Sequence, residues 1–350
     1  VQLSVLDLVP VRSDQSTADA LAATVRLAQA ADELGFTRYW VAEHHNMPAV
    51  AATSPPVLLS YLAAQTGRIR LGSGGVMLPN HAPLAVAEQF ALLEAAAPGR
   101  IDLGVGRAPG TDPVTSIALR GPAGRTDEDI QRFPEYLDDI VALMSPSGVK
   151  VSIEGRSLLD QDYVLKATPA AVSPPELWLL GSSLYSAHLA AAKGLPYVFA
   201  HHFSGQGTQE ALAVYREEFR PSEFADAPRT FMTVNACVAA TRAEAEAQMR
   251  PNLHMMAWLR TGQPLRALDL VEDSEQVRLT AQQQAVFDSG LARAVVGAPG
   301  EAAGQVRELA AHFGVDEVMV NPVASAHRGT DPATAPARES TLGLLAAELL

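Results

Sequence analysis

IRLGSGGVMLPNHAPLAVAEQFALLEAAAPGRIDLGVGR, residues 69–107, decides the fold. Its opening run, Ile69 to Met77, and its closing run, Ile101 to Val105, are rich in strand formers, and each ends at glycines. Between them Val86, Phe90 and Leu93 recur at helical spacing, Pro83 suits a first helical turn, and Pro98-Gly99 stops the helix. A strand–helix–strand unit of this kind places two parallel strands in the interior. Gly74-Gly75 and Gly106-Arg107 then fall at the carboxyl ends of the strands, where α/β proteins build their sites.

The same alternation extends in both directions with a period of about 30 residues. Strands are expected over Leu3–Val9, Thr37–Ala42, Glu176–Leu180, Pro196–Ala200, Thr230–Ala239 and Val315–Val320. With the two central runs these make eight, which predicts an α/β fold, a closed (β/α)8 TIM barrel with insertions at its C-terminal mouth. The whole chain, 1–350, reads as one domain. Residues Ala108–Gly124 read as a long loop, about 149–168 as a hairpin-like insertion, and about 241–297 as a strandless helical insertion over the mouth.

Composition narrows the function. With 48% hydrophobic residues the chain supports a large core, and its formal net charge of −13 argues against nucleic acid or an anionic membrane surface as partner. Any anionic ligand must be met by local positive charge. Cys237, the single cysteine, lies in an apolar run and reads as a buried small hydrophobe. No apolar run has membrane length and no leader is visible, so a cytoplasmic location is expected.

Four places carry candidate chemistry. Glu43-His44-His45 follows the second strand; a histidine there can act as general acid or base, or merely bond loop backbone. Neighbouring histidines on a turn face apart and no third ligand has metal spacing, so no metal site is expected. Gly72, Gly74 and Gly75 lack dinucleotide-binding spacing, and their use is read as steric. Arg107 can hold an anion or pair with a rim carboxylate. Gly181-Ser182-Ser183-Leu184-Tyr185, turning from strand to helix, can cradle an anion or serve as a plain helix cap. His201-His202 and Asn321 also point to the mouth, while His81 reads as a cap or packing residue.

Taken in order, Ala42-Glu43-His44-His45, the 69–107 run and Leu180-Gly181-Ser182-Ser183 resemble the luciferase-like flavin monooxygenases, the family of bacterial luciferase, over about residues 3–322. The resemblance implies a monooxygenase using FMN, O2 and a small organic substrate, with reduced FMN supplied by a separate flavin reductase, and a homodimer. It implies His44 as catalytic base supported by Glu43, and a non-proline cis peptide at Gly74-Gly75 beneath the flavin ring, with Gly106 beside it. It implies Arg107, then Arg125 (or Arg120), with Gly181, Ser182, Ser183 and Tyr185, at the flavin phosphate. Gly106 and Gly181 replace a reactive cysteine and an acidic residue of luciferase itself, which counts against light emission and long-chain aldehydes. An F420-dependent hydride-transfer enzyme on the same barrel, a non-catalytic flavin-binding protein and an unrelated barrel hydrolase are the alternatives.

Overall fold

The computed structural model describes residues 1–108, 110–121, 128–151, 163–170, 173–203 and 205–350. The first half contains β1 (Gln2–Asp7), α1 (Thr17–Leu34), β2 (Arg38–Val41), α2 (Pro55–Ala63), β3 (Arg70–Ser73), β4 (Val76–Met77), α3 (Pro83–Ala96), β5 (Ile101–Gly106), α4 (Pro113–Arg120), α5 (Glu128–Gln131) and α6 (Phe133–Met144). Then come β6 (Val149–Val151), β7 (Tyr163–Leu165), β8 (Glu176–Gly181), α7 (Leu184–Lys193), β9 (Tyr197–Phe199), α8 (Thr208–Glu218) and β10 (Thr230–Val238). The last stretch holds α9 (Arg242–Arg260), α10 (Val271–Ser274), α11 (Ala281–Arg293), β11 (Val295–Gly297), α12 (Pro299–Phe313), β12 (Glu317–Pro322) and α13 (Pro336–Leu349).

β1, β2, β3, β5, β8, β9, β10 and β12 follow one another in parallel around a closed barrel, with β9 paired to β10 and β12 returning to β1. Alternation along each strand separates two environments. In β2, Tyr39 and Val41 pack outward under the helices, whereas Trp40 joins Leu6, Trp178, Phe231 and Met319 inside the barrel. The Trp40, Trp178 and Phe231 rings lie 5.0–5.8 Å apart. The Arg38 guanidinium rests against all three and pairs with Asp102 and Glu317, both at 2.8 Å. This plug fills the barrel floor.

A second buried charge ties the opposite ends of the chain together. Asp7 Oδ1 accepts from Arg338 Nη2 on α13 (2.5 Å) and from the Val9 N–H (2.7 Å); Oδ2 accepts from the Tyr39 hydroxyl (2.5 Å) and Thr24 on α1 (2.8 Å). Arg338 Nε donates to the Pro322 carbonyl at 2.8 Å. Val9 is thereby held at φ +51°, a conformation that β-branched residues rarely adopt. The chain ends carrying Leu8 and Asn321 at the mouth are fixed by one carboxylate.

The structure departs from the sequence reading in several places. The Ile69–Met77 run is two strands, β3 paired with β2 and β5 and β4 paired only with β5, and the cis peptide expected at Gly74–Gly75 is present between them. Inside Ala108–Gly124 lies α4, started by Asp112, whose side chain caps the Val114 and Thr115 N–H groups. The 241–297 segment is not strandless: β11 pairs β10 outside the barrel circuit, and its three residues are too short for a periodic signal. The hairpin expected near 149–168 is present as antiparallel β6–β7.

Candidate active site

Glu43, His44 and His45 leave the end of β2 in divergent directions. Glu43 is fully buried: Oε1 accepts from His45 Nε2 and His81 Nε2, each at 2.8 Å, and Oε2 accepts from the Met77 N–H at 2.9 Å. Burial pushes its carboxyl pKa up, but the bonds from His81, His45 and Met77 outweigh that and hold it below the usual glutamate value. Glu43 therefore acts as a hub joining β2, β4 and the turn before α3. His81, read from sequence as a cap or packing residue, belongs to this hub; only its adjacency in space to Glu43 reveals it.

His44 turns the other way, into a cavity of about 70 Å³ lined by Leu8, Met47, Val50 and, across the mouth, His202 and Asn321. Its Nδ1 is shielded from solvent and has no hydrogen-bond partner among the described residues. Burial pulls its pKa below the ordinary histidine value against the opposing charge of Glu43, so the ring is neutral and Nδ1 can take or give a proton. His202, held by Thr233 Oγ1 at 2.9 Å, is pushed down to about 4 by burial, with His44 and His201 adding to the effect. His201 instead packs on Phe313 and bonds Thr208, outside the cavity, because successive residues at the strand end face opposite ways. Asn321 Nδ2 donates to Asn235 Oδ1 at 2.9 Å.

The roof of this cavity is α9, whose Met255, Met256 and Leu259 were not singled out from sequence. Their spacing puts Leu259 on the same helical face as both methionines, but nothing local says that this face meets a barrel mouth.

The glycines serve mainly to bring strands together. A Cβ at Gly72 would lie 2.4 Å from Trp40 Nε1, one at Gly74 2.8 Å from Leu6, and one at Gly75 2.9 Å from the Gly104 carbonyl. Gly106 differs: its nearest neighbour would be Met77 Sδ at 3.8 Å, so that position is open. Gly181 is required by the approach of Ser186, whose Oγ would lie 2.1 Å from a Cβ there.

Next to Gly106 the Arg107 guanidinium stacks on the Tyr185 ring at 4.1 Å, and no carboxylate lies within ion-pair distance of it among the described residues. Beside it Ser182, Ser183 and Tyr185 are exposed, and Ser183 begins α7 without capping it through its side chain. The first N–H groups of α7 are thus left to a ligand or to water, next to an unpaired cation. Arg120 ends α4; Arg125 lies outside the described residues.

Comparison with known proteins agrees with this layout. A sequence profile of the luciferase-like monooxygenases matches residues 1–317. The chain is 36% identical over 321 residues to a luciferase-like monooxygenase of Escherichia coli K12, covering 92% of this chain and 91% of that one. It is 39% identical over 253 residues to the N-acetyl-S-alkylcysteine monooxygenase of Bacillus subtilis, covering 70% of each. Among solved structures, apo-MsnO8 superposes with a TM-score of 0.80 at 32% identity, over 99% of this chain and 98% of that one. A closed parallel barrel with a histidine-lined mouth, matched over nearly its whole length by named monooxygenases, places this protein in the luciferase-like monooxygenase family.

Proposed function

We propose that the protein is an FMN-dependent monooxygenase of a small organic molecule, with His44 as the proton-handling group at the substrate. The single observation that carries this reading is the neutral His44 Nδ1, without a partner among the described residues, facing an enclosed, mostly apolar cavity at the same barrel mouth as the uncapped start of α7. The residues fit FMN. Arg107, Ser182, Ser183 and the first turn of α7 supply what a phosphate monoester needs, and Tyr185 holds the guanidinium flat. The open position at Gly106, next to Arg107, leaves room for a flat ring to approach the strand end.

Reduced FMN, when bound, would supply the two electrons that activate O2, one atom of which goes to the substrate and the other to water. The chain's own part is placement and protection. Met47, Val50, Met255, Met256 and Leu259 keep water from the reacting centre, while His44 holds or moves a proton at Nδ1. Glu43 positions the turn that carries His44 rather than touching the substrate. No helix starts at Gly74-Gly75, where β4 follows β3, as a dinucleotide-binding turn would require, and this supports a separate reductase as the source of reduced flavin. Val57 and Tyr61 on α2 and Leu92 on α3, all exposed, support a homodimer through those helices. The named activity of the Bacillus relative supports a thioether as one substrate to try first.

Anaerobic titration with reduced FMN followed by mixing with O2 tests the reading. Tight binding, reoxidation slower than that of free FMN, and loss of product with His44→Ala while FMN stays bound are the expected results. Binding of F420 in place of FMN would make the enzyme a hydride-transfer catalyst, and binding without product in the wild type would leave a flavin-binding protein.

A further inference from the structure

Resting on the monooxygenase reading, a second place at the mouth points to the kind of substrate. Among the described residues no Asp, Glu, Lys or Arg lines the His44 cavity, which favours an uncharged group there. Two arginines flank the turn after β9 that carries the lining Phe203. Arg260, the residue after the lining Leu259, stacks on the lining Phe203 at 3.9 Å and donates from Nη2 to the Phe203 carbonyl at 2.9 Å. Arg293, in the last turn of α11, is anchored through Nη1 to Ser289 Oγ and lies against Gly205, where a Cβ would come 2.4 Å from its Cδ. Both guanidiniums thus converge on the turn after β9.

Neither has a carboxylate within 4.0 Å among the described residues. Three of the other four arginines in the same insertion do: Arg242 pairs with Glu246 and Glu301, Arg250 with Glu275, and Arg266 with Asp269, while the exposed Arg278 does not. In a chain of net charge −13 acidic partners are abundant, yet among the described residues these two arginines have none and stand on one turn. Burial, and then the charge of Arg260, draw the Arg293 pKa down.

We propose that Arg260 and Arg293 bind an oxyanion, a carboxylate or a phosphate monoester, carried by the substrate itself, while its uncharged oxidisable part occupies the His44 cavity. The Arg107 cradle stands at the ends of β5 and β8 and is left to the cofactor; the Arg260 and Arg293 pair serves the second anion. The negative charge of the whole chain then disfavours anions elsewhere and sharpens selection at this pair.

The test uses three probes of one body: 4-(methylthio)butanoate, its methyl ester, and the phosphate monoester of 4-(methylthio)butanol. Calorimetric binding to the FMN-loaded protein and sulfoxide formation with reduced FMN and O2 are read separately. An anionic probe is expected to bind about tenfold or more tightly than the ester, and Arg260→Gln or Arg293→Gln should erase that preference with ester binding unchanged. Which of carboxylate and phosphate wins identifies the anion. Arg250→Gln, on the same helix but ion-paired, should change nothing. An ester bound as well as both anions, or variants that keep the preference, overturns the proposal. Loss of FMN affinity in Arg260→Gln would also overturn it by assigning the pair to the cofactor. Selective anion binding without sulfoxide would keep the anion site and remove the oxygenase reading; equal turnover of ester and anions would do the reverse.

Discussion

Replacing Arg338 by Met tests how the two ends of the chain hold the mouth. The Arg338 and Asp7 side chains are 5% and 0% exposed, so solvent screens their interaction little. Methionine keeps the aliphatic stem but leaves the Asp7 carboxylate buried with only neutral donors, Thr24, Tyr39 and the Val9 N–H. Breaking a buried pair on one side costs about 3–5 kcal/mol, a large part of a total stability of about 5–15 kcal/mol. The pH dependence gives a second reading. In the wild type, burial raises the Asp7 pKa, but Arg338 and the hydrogen bonds bring it below 3.8. Its stabilising contribution is therefore complete above the unfolded value and is lost as pH falls through the lower folded value. Without Arg338, burial is less opposed and the folded pKa rises. Where it passes the unfolded value the sign reverses, so the deficit of the variant is largest at neutral pH and shrinks on acidification. Reversible urea unfolding between pH 4 and 7 measures this, and Asp7→Asn combined with Arg338→Met should recover about 0.5–3 kcal/mol relative to the sum of the single changes. A deficit below about 1 kcal/mol, or one independent of pH, would refute the reasoning. Since Arg338 also holds the Pro322 carbonyl beside Asn321, KM for substrate should rise in the variant even where it stays folded.

Other consequences are simpler to check. His44→Ala should lower kcat by about 10²–10⁴ with FMN affinity unchanged; because the His44 pKa lies below 6.5, wild-type kcat should stay level through that pH and fall only in more acid solution. Arg107→Ala should cost about 1.5–3 kcal/mol of FMN binding, roughly ten- to hundredfold in Kd, while kcat at saturating FMN changes little. Cys237 is buried and its thiol is pushed up to about 12 by burial, with Glu244 adding, so iodoacetamide should label it only after unfolding. Glu43→Gln puts an amide where two histidines and an N–H donate; a destabilisation of about 1–3 kcal/mol and a fall in kcat are expected together.

Much of the fold was readable because the apolar period changes cleanly between strand and helix along the chain. The Ile69–Arg107 unit illustrates it: Val86, Phe90 and Leu93 are all buried on one face of α3, as their spacing requires. Where elements are short, periodicity has nothing to act on. β11 has three residues, and α4 is set by an Asp112 cap and a proline rather than by an apolar stripe, so both were invisible. The site was partly legible for a related reason. Positions directly after strands, such as His44, Arg107 and Ser182-Ser183, must lie at the mouth of any parallel barrel.

What the sequence determined by itself is the alternation, and with it the parallel barrel and the end of it that carries polar groups; these follow from local period and chain direction. Which groups meet was decided by tertiary structure alone. His81 reaches Glu43 from 38 residues away, Arg338 reaches Asp7 from 331, and α9 covers a cavity lined also by Leu8, just after the first strand. Such contacts depend on how a closed sheet brings the first and last strands side by side, and no local pattern encodes the distance between residues that far apart in the chain.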